Sequence, residues 1–149
     1  MLKGLDPQLD ADVLHALRAM GHGDVVVLVD TNFPAESCAA HTTVGTALAI
    51  DNVTLAQAAS AVLSVLPLDG TDPDPVRRMQ VGDDPNHVPN VQAELADALR
   101  AAGEDPTMAP TARFDFYDIA KGAFAIIRTG ERRFFGCVAF TKGIIGPEG

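Results

Sequence analysis

The chain has 149 residues, 47% hydrophobic and 21% charged, with a formal net charge of −9 and a pI near 4.6. A domain of this length buries about 68–70% of its unfolded surface, enough for a core without metal or disulfide support, and the apolar fraction excludes a disordered chain. Its acidity and the scatter of its 11 Lys and Arg residues exclude nucleic acid as a natural partner. No apolar run reaches the ~20 residues that span a bilayer. The N-terminus "MLKGLDPQLDADVLHALRAM" lacks the basic start, apolar stretch and cleavage site of a signal peptide, which points to the cytoplasm.

From Asp10 to Met20, Val13, Leu14, Leu17 and Met20 recur at helical spacing, and Gly21 supplies a stop. "VVVLV" at 25–29 is short, β-branched and without polar alternation, which suits a strand covered on both faces. Pro34 then fits the first turn of a short helix carrying Glu36 and Cys38. Residues 42–50 read as loop and strand. Thr54 caps a helix with Leu55, Ala58, Ala59, Val62 and Leu63 in period, which Pro67 ends.

"LDGTDPDPV" is a loop, and 76–81, "VRRMQV", is a strand alternating apolar and polar residues. After the loop "GDDPNHVPN" comes the helix "VQAELADALRAA", closed by Gly103. A further proline-containing loop leads to a short helix in "FDFYDIAKG". "AFAIIRTGERRFFGCVAF" then reads as two strands joined by a Thr-Gly-Glu turn, a hairpin. No repeat or linker divides the chain, so residues 1–149 form one α/β domain with a central sheet flanked by helices.

Candidate chemistry lies at the two ends of the 25–29 strand. Asp30 follows its carboxyl end, where ligands bind in open α/β sheets; as an alternative it caps the next turn. His22, between Gly21 and Gly23, has the side chain suited to proton exchange near neutrality, or is a histidine at a helix C-terminus. The two are about 20–25 Å apart along a strand at ~3.3 Å per residue. They meet only if the loop folds back or if a neighbouring chain completes the site.

Arg113 opens "RFDFY", and a guanidinium beside aromatic faces suits sugar hydroxyls; the alternative is an ion pair with Asp115 or Asp118. Phe114, Phe116 and Phe124 read as core, and Tyr117 fits either core or ligand. His15 reads as helix surface, and His41 and His87 as loop. No HxH or HExxH spacing joins the four histidines into a metal site, and no glycine-rich nucleotide motif or GxSxG elbow is present. Cys38 and Cys137, far apart and outside any CxxC, read as small buried residues.

"MLKGLDP", "MGHGD" with "DTNFP", "SVLPLD", "RFDFYDIAKGAFAIIRTGE" and "FFGCVAFTKGII" together resemble, in order and spacing, the RbsD/FucU family of ribose pyranases and fucose mutarotases. Arg113 is similar to the fucose-type branch. The resemblance implies a cofactor-free isomerase that interconverts cyclic forms of a free monosaccharide, assembled as a ring, commonly a decamer, with sites between subunits. It implies His22 as the catalytic histidine, Asp30 and Arg113 as substrate contacts, and Phe135, Gly136 and Cys137 at the family's sugar-contacting Tyr-Gly-Asn. Phenylalanine and cysteine there remove a hydroxyl and an amide. A non-catalytic sugar-binding or sensor protein on the same fold is the alternative; a racemase of another small polyol would need a second base.

Overall fold

A computed structural model describes residues 2–149. Asp10 starts the first helix because its carboxylate accepts the Val13 N–H at 2.8 Å, satisfying a donor that has no partner within the helix. This helix, α1 (Ala11–Ala19), buries Val13, Ala16 and Leu17. Its last carbonyls are closed from a distance: Lys142 Nζ donates to Leu17 O at 2.8 Å and Met20 O at 2.6 Å.

Five further elements follow in the predicted order: β1 (Val25–Val29), α2 (Ala35–Ala39), β2 (Leu48–Ile50), α3 (Leu55–Leu63) and β3 (Val76–Met79). Thr54 and Gln57 form a reciprocal capping box at the start of α3. That helix stops at Leu63, four residues before Pro67. The chain continues as α4 (Asn90–Ala101), β4 (Ala109–Thr111), α5 (Arg113–Lys121), β5 (Ala125–Thr129) and β6 (Val138–Thr141). Gly103, at φ 81°, makes the left-handed turn after α4.

The strands form one sheet in the order β2-β5-β1-β6-β3-β4. All run parallel except β6, which is antiparallel to both β1 and β3. Alternate residues of β1 serve two cores. Val26 and Leu28 pack with α1, α3 and α4 through Val13, Leu17, Leu55, Val62, Leu95 and Leu99. Val27 and Val29 pack with α2 and α5 through Cys38, Phe116 and Ala120. An unbroken run of β-branched residues is what a strand buried on both faces requires.

Four expectations change. β5 and β6 are not a hairpin, because β1 lies between them, parallel to β5 and antiparallel to β6. The segment joining them crosses the sheet edge. β3 ends at Met79, and its Arg78 is buried where alternation alone leaves an arginine exposed. The short strand β4 lies in a segment that reads as loop. Phe114 is 72% exposed and not core, whereas Phe116 is fully buried and Phe124 packs against the core.

Candidate active site

β1 and β3 deliver their carboxyl ends, and β6 its amino end, to one edge of the sheet, and the gap between them is a cavity of about 400 Å³. Asp30, Asn32 and Phe33 line it after β1, Met79, Gln80 and Gly82 at β3, Phe134, Phe135 and Cys137 before β6, and Arg113 and Tyr117 on α5. Of the sequence candidates, Asp30, Arg113, Phe135 and Cys137 are thus brought together, and Gly136 joins them through its N–H to Asp30.

Asp30 is buried and fully engaged. Its Oδ1 accepts the N–H groups of Asn32 and Phe33, each at 3.0 Å, which folds the turn into α2. Its Oδ2 accepts the Gly136 N–H at 3.2 Å and faces the Cys137 thiol at 3.6 Å. Four donors therefore meet the roughly four lone-pair positions of a carboxylate. The thiol is the weakest of them. Burial first, then the Asp30 charge, pushes the Cys137 thiol well above its usual range, so it stays protonated and can donate.

Gly136 fits because nothing larger does: a Cβ there would lie 2.6 Å from Cγ of Glu131 and 3.3 Å from Asp30 Cβ. Phe135 has φ 63°, a left-handed conformation that is strained for a bulky residue. Two buried side chains hold it there. Gln92 Nε2 donates to Phe135 O at 2.9 Å and to Met79 O at 2.7 Å, while its Oε1 accepts from Arg78 at 3.0 Å. Arg78 also donates to the carbonyls of Pro85 at 2.6 Å and His87 at 3.2 Å, which fixes the loop carrying Gly82.

A second brace lies behind the same wall. Glu131, buried, accepts from Arg133 through backbone and guanidinium and from the Leu55 N–H at the start of α3. The Arg133 bonds hold its carboxyl at about 2, against the opposing effect of burial. Arg133 reaches on to Glu94 of α4 with bonds of 2.7 and 2.8 Å.

Arg113 forms neither of the ion pairs considered from sequence. Its Nε donates to Tyr117 Oη at 2.9 Å, and its guanidinium carbon lies 5.5 Å from the Phe114 ring centre and 5.4 Å from that of Tyr117. Its two Nη groups make no hydrogen bond among the described residues. Phe33 meets Tyr117 edge-on at 5.2 Å, so the phenol belongs to the wall of the cavity. The rim carries Phe114 and Phe134, the latter 73% exposed.

His22 lies at the opposite end of β1. Its turn is held by Gly23 N–H to Lys142 O at 2.8 Å, and its Nε2 is 3.1 Å from Asp69 Oδ2. The loop does not fold back, so His22 and the cavity stand apart within one chain. Ile144 and Ile145, just past Lys142, are exposed at that end. Sequence reasoning left Tyr117 open and did not single out Gln80, Met79, Phe134 or Asp69. Asp69 closes the quoted "SVLPLD" block, but its contact with His22 was not readable there, since that partner is 47 positions away.

Among the described residues no group of three His, Cys, Asp or Glu side chains is placed to hold a metal ion, and no helix is long and apolar enough to cross a membrane. A polar and aromatic cavity at the carboxyl edge of a doubly covered α/β sheet defines a protein of the small-molecule-binding class. The chain belongs to the RbsD / FucU transport protein family, whose model matches residues 3–145. It is 36% identical over 151 residues to the fucose mutarotase of Danio rerio, covering 99% of this chain and 97% of that one. Among solved structures it is similar to the protein Atu2016, a candidate sugar-binding protein, with 53% identity, a TM-score of 0.95 and coverage of 98% and 97%. It is also similar to the Streptococcus pneumoniae fucose mutarotase in complex with L-fucose, with 28% identity, a TM-score of 0.84 and coverage of 97% and 100%.

Proposed function

We propose that the protein interconverts the anomers or ring forms of a free, L-fucose-like monosaccharide by general acid/base catalysis, without a cofactor. The observation that carries this reading is the cavity itself, with a guanidinium whose Nη groups are uncommitted, a phenol, an anchored carboxylate and aromatic faces in about 400 Å³. Relatives named as fucose mutarotases support the same reaction.

Arg113 and Tyr117 meet sugar hydroxyls, and Phe33, Phe134 and Phe135 take the C–H faces. Asp30 joins them when a sugar hydroxyl displaces the Cys137 thiol, the donor it loses at least cost. Where the family pattern has Tyr and Asn, Phe135 and Cys137 present no strong hydrogen-bonding group. The sugar edge facing them is therefore the less hydroxylated one.

His22 supplies the proton transfer and comes from a neighbouring copy. The cavity end exposes Phe114 and Phe134, and the His22 end exposes Ile144 and Ile145, two apolar surfaces at opposite ends of one chain. Unlike ends that bind one another make a head-to-tail contact, which closes into a ring when the rotation closes. We take the assembly to be the decamer that the family resemblance implies, working in the cytoplasm, with residues 1–149 as one domain.

Opening the ring removes a proton from the anomeric hydroxyl, forms the carbonyl, breaks the bond from the anomeric carbon to the ring oxygen and protonates that oxygen. Closure on the other face reverses each transfer. Saturation-transfer NMR on L-fucose and D-ribose measures the exchange, and His22→Ala is expected to reduce it by about 10²–10⁴ while sugar binding persists. Unchanged exchange in that variant, or a monomeric native mass, would reject the shared site.

A further inference from the structure

The wall of the cavity that precedes β6 offers a ligand little to bond with. Phe134 and Phe135 present rings, and the Cys137 thiol is turned onto Asp30 Oδ2 at 3.6 Å. The neighbouring wall, at the end of β3, is different. Gln80 lines the same cavity and is half-buried there, whereas Asn32, the other amide of the lining, is exposed.

Gln80 is fixed through backbone and side chain alike. Just before it, the Met79 N–H donates to Cys137 O at 3.1 Å and Met79 O accepts from Gln92 at 2.7 Å, so the strand end is pinned against β6 and α4. The Gln80 N–H donates to Thr111 O at 2.8 Å, at the end of β4. Its side-chain Nε2 donates to Gly82 O at 2.9 Å. The loop that supplies this carbonyl is held in turn by Arg78, through Pro85 O and His87 O.

A carbonyl oxygen can only accept, so the amide must turn its NH₂ group toward Gly82, and the planar group then fixes the direction of Oε1. That oxygen and the second hydrogen of Nε2 have no partner among the described residues. The cavity thus holds a neutral acceptor and donor, oriented in advance, on the strand beside the one whose side chains offer almost none.

We propose that Gln80 is a specificity-determining residue of the reaction: its Oε1 accepts one hydroxyl of the sugar, so the protein selects a free monosaccharide with a hydroxyl on the edge that faces β3 over one lacking it. The inference rests on the function proposed above. An amide suits this task better than a second carboxylate, because it accepts from a hydroxyl without adding negative charge to a cavity that already holds Asp30. A side chain held in one conformation also loses little freedom when the sugar arrives. A sugar without the hydroxyl leaves the oxygen cut off from water and unpaired, and a site built to pair a hydroxyl rejects the analogue lacking it for that reason.

The test deletes the two sides of the contact separately and together. Full-length wild type and Gln80→Met, which keeps the length of the side chain and removes both polar groups, are titrated calorimetrically with L-fucose, D-ribose and each of their monodeoxy analogues. Gln80→Met is expected to bind the parent sugar about 3–10-fold more weakly. One monodeoxy analogue is expected to bind wild type more weakly by a similar factor and to lose nothing further in the variant, while the other analogues lose as the parent sugar does. A merely structural role for Gln80 would weaken all of them alike. Binding of the parent sugar by Gln80→Met within about twofold of wild type, or a loss of equal size for every analogue, overturns this inference alone. Wild type that binds neither L-fucose nor D-ribose overturns the proposed function and this inference with it.

Discussion

Replacing Glu131 by glutamine removes a charge where the cavity wall is tied to the helix layer. In the native protein this carboxylate accepts from Arg133 and from the first N–H of α3, and Arg133 continues to Glu94 on α4. Its carboxyl is drawn from the ordinary 4.5 to about 2. At about 1.4 kcal/mol per pH unit this difference corresponds to about 3 kcal/mol. Arg133 and Glu94 are 42% and 48% exposed, so water screens part of the attraction. A figure on the order of 2 kcal/mol is the better expectation.

The folded state binds the proton more weakly than the unfolded chain does. The contribution is therefore complete above the unfolded value near 4.5 and drains away as pH falls toward 2. Urea unfolding of wild type and Glu131→Gln, at one protein concentration and in steps from pH 7 to pH 2, measures it directly. The gap is expected to be about 2 kcal/mol at pH 7, or roughly 4–8 °C in Tm, and to narrow below pH 4. A gap that stays constant across that range, or one below about 0.5 kcal/mol at pH 7, refutes the reasoning.

Gln92→Leu keeps the volume but strands Met79 O, Phe135 O and part of the Arg78 guanidinium in the core. It is expected to cost about 2–4 kcal/mol in urea unfolding and to weaken sugar binding as Phe135 relaxes from its left-handed backbone; a cost under about 1 kcal/mol would mean that another partner satisfies these groups. Both free thiols are buried, and burial raises both above their ordinary range, opposed at Cys38 by Lys121. Iodoacetamide at pH 8 is expected to modify neither in the folded protein and both after denaturation, and labelling of folded Cys137 at a free-thiol rate would contradict its place against Asp30.

Local chemistry fixes much of this fold. A β-branched run covered on both faces, Asp10 and Thr54 as helix starts, and Gly103 as a stop are all readable because each depends on a few adjacent residues. β6 is different. Its neighbours in space, β1 and β3, lie about 110 and 60 positions earlier, and a glycine in the intervening segment imitates a hairpin turn. Arg78 follows the same logic, since the carbonyls and the glutamine that satisfy it lie 7 to 14 residues further on and make burial possible for a charge that alternation places outside.

The placement of Asp30 at the cavity was legible from its position after a buried strand, and that of Arg113 from its aromatic company. Asp69 was not, because only the long-range pairing of Leu68 with Lys142 gives it a histidine as neighbour.

The reversed direction of β6 has a consequence for assembly. This one short strand is preceded by Gly136 and Cys137 beside Asp30 and followed by Lys142, whose carbonyl holds the turn bearing His22. It acts as a gauge rod, setting the distance between the cavity edge of the sheet and the turn that carries His22. A slip of one residue in its pairing would invert which side chains face each core and shift both terminal surfaces together. In the ring proposed above, the error would recur at every joint.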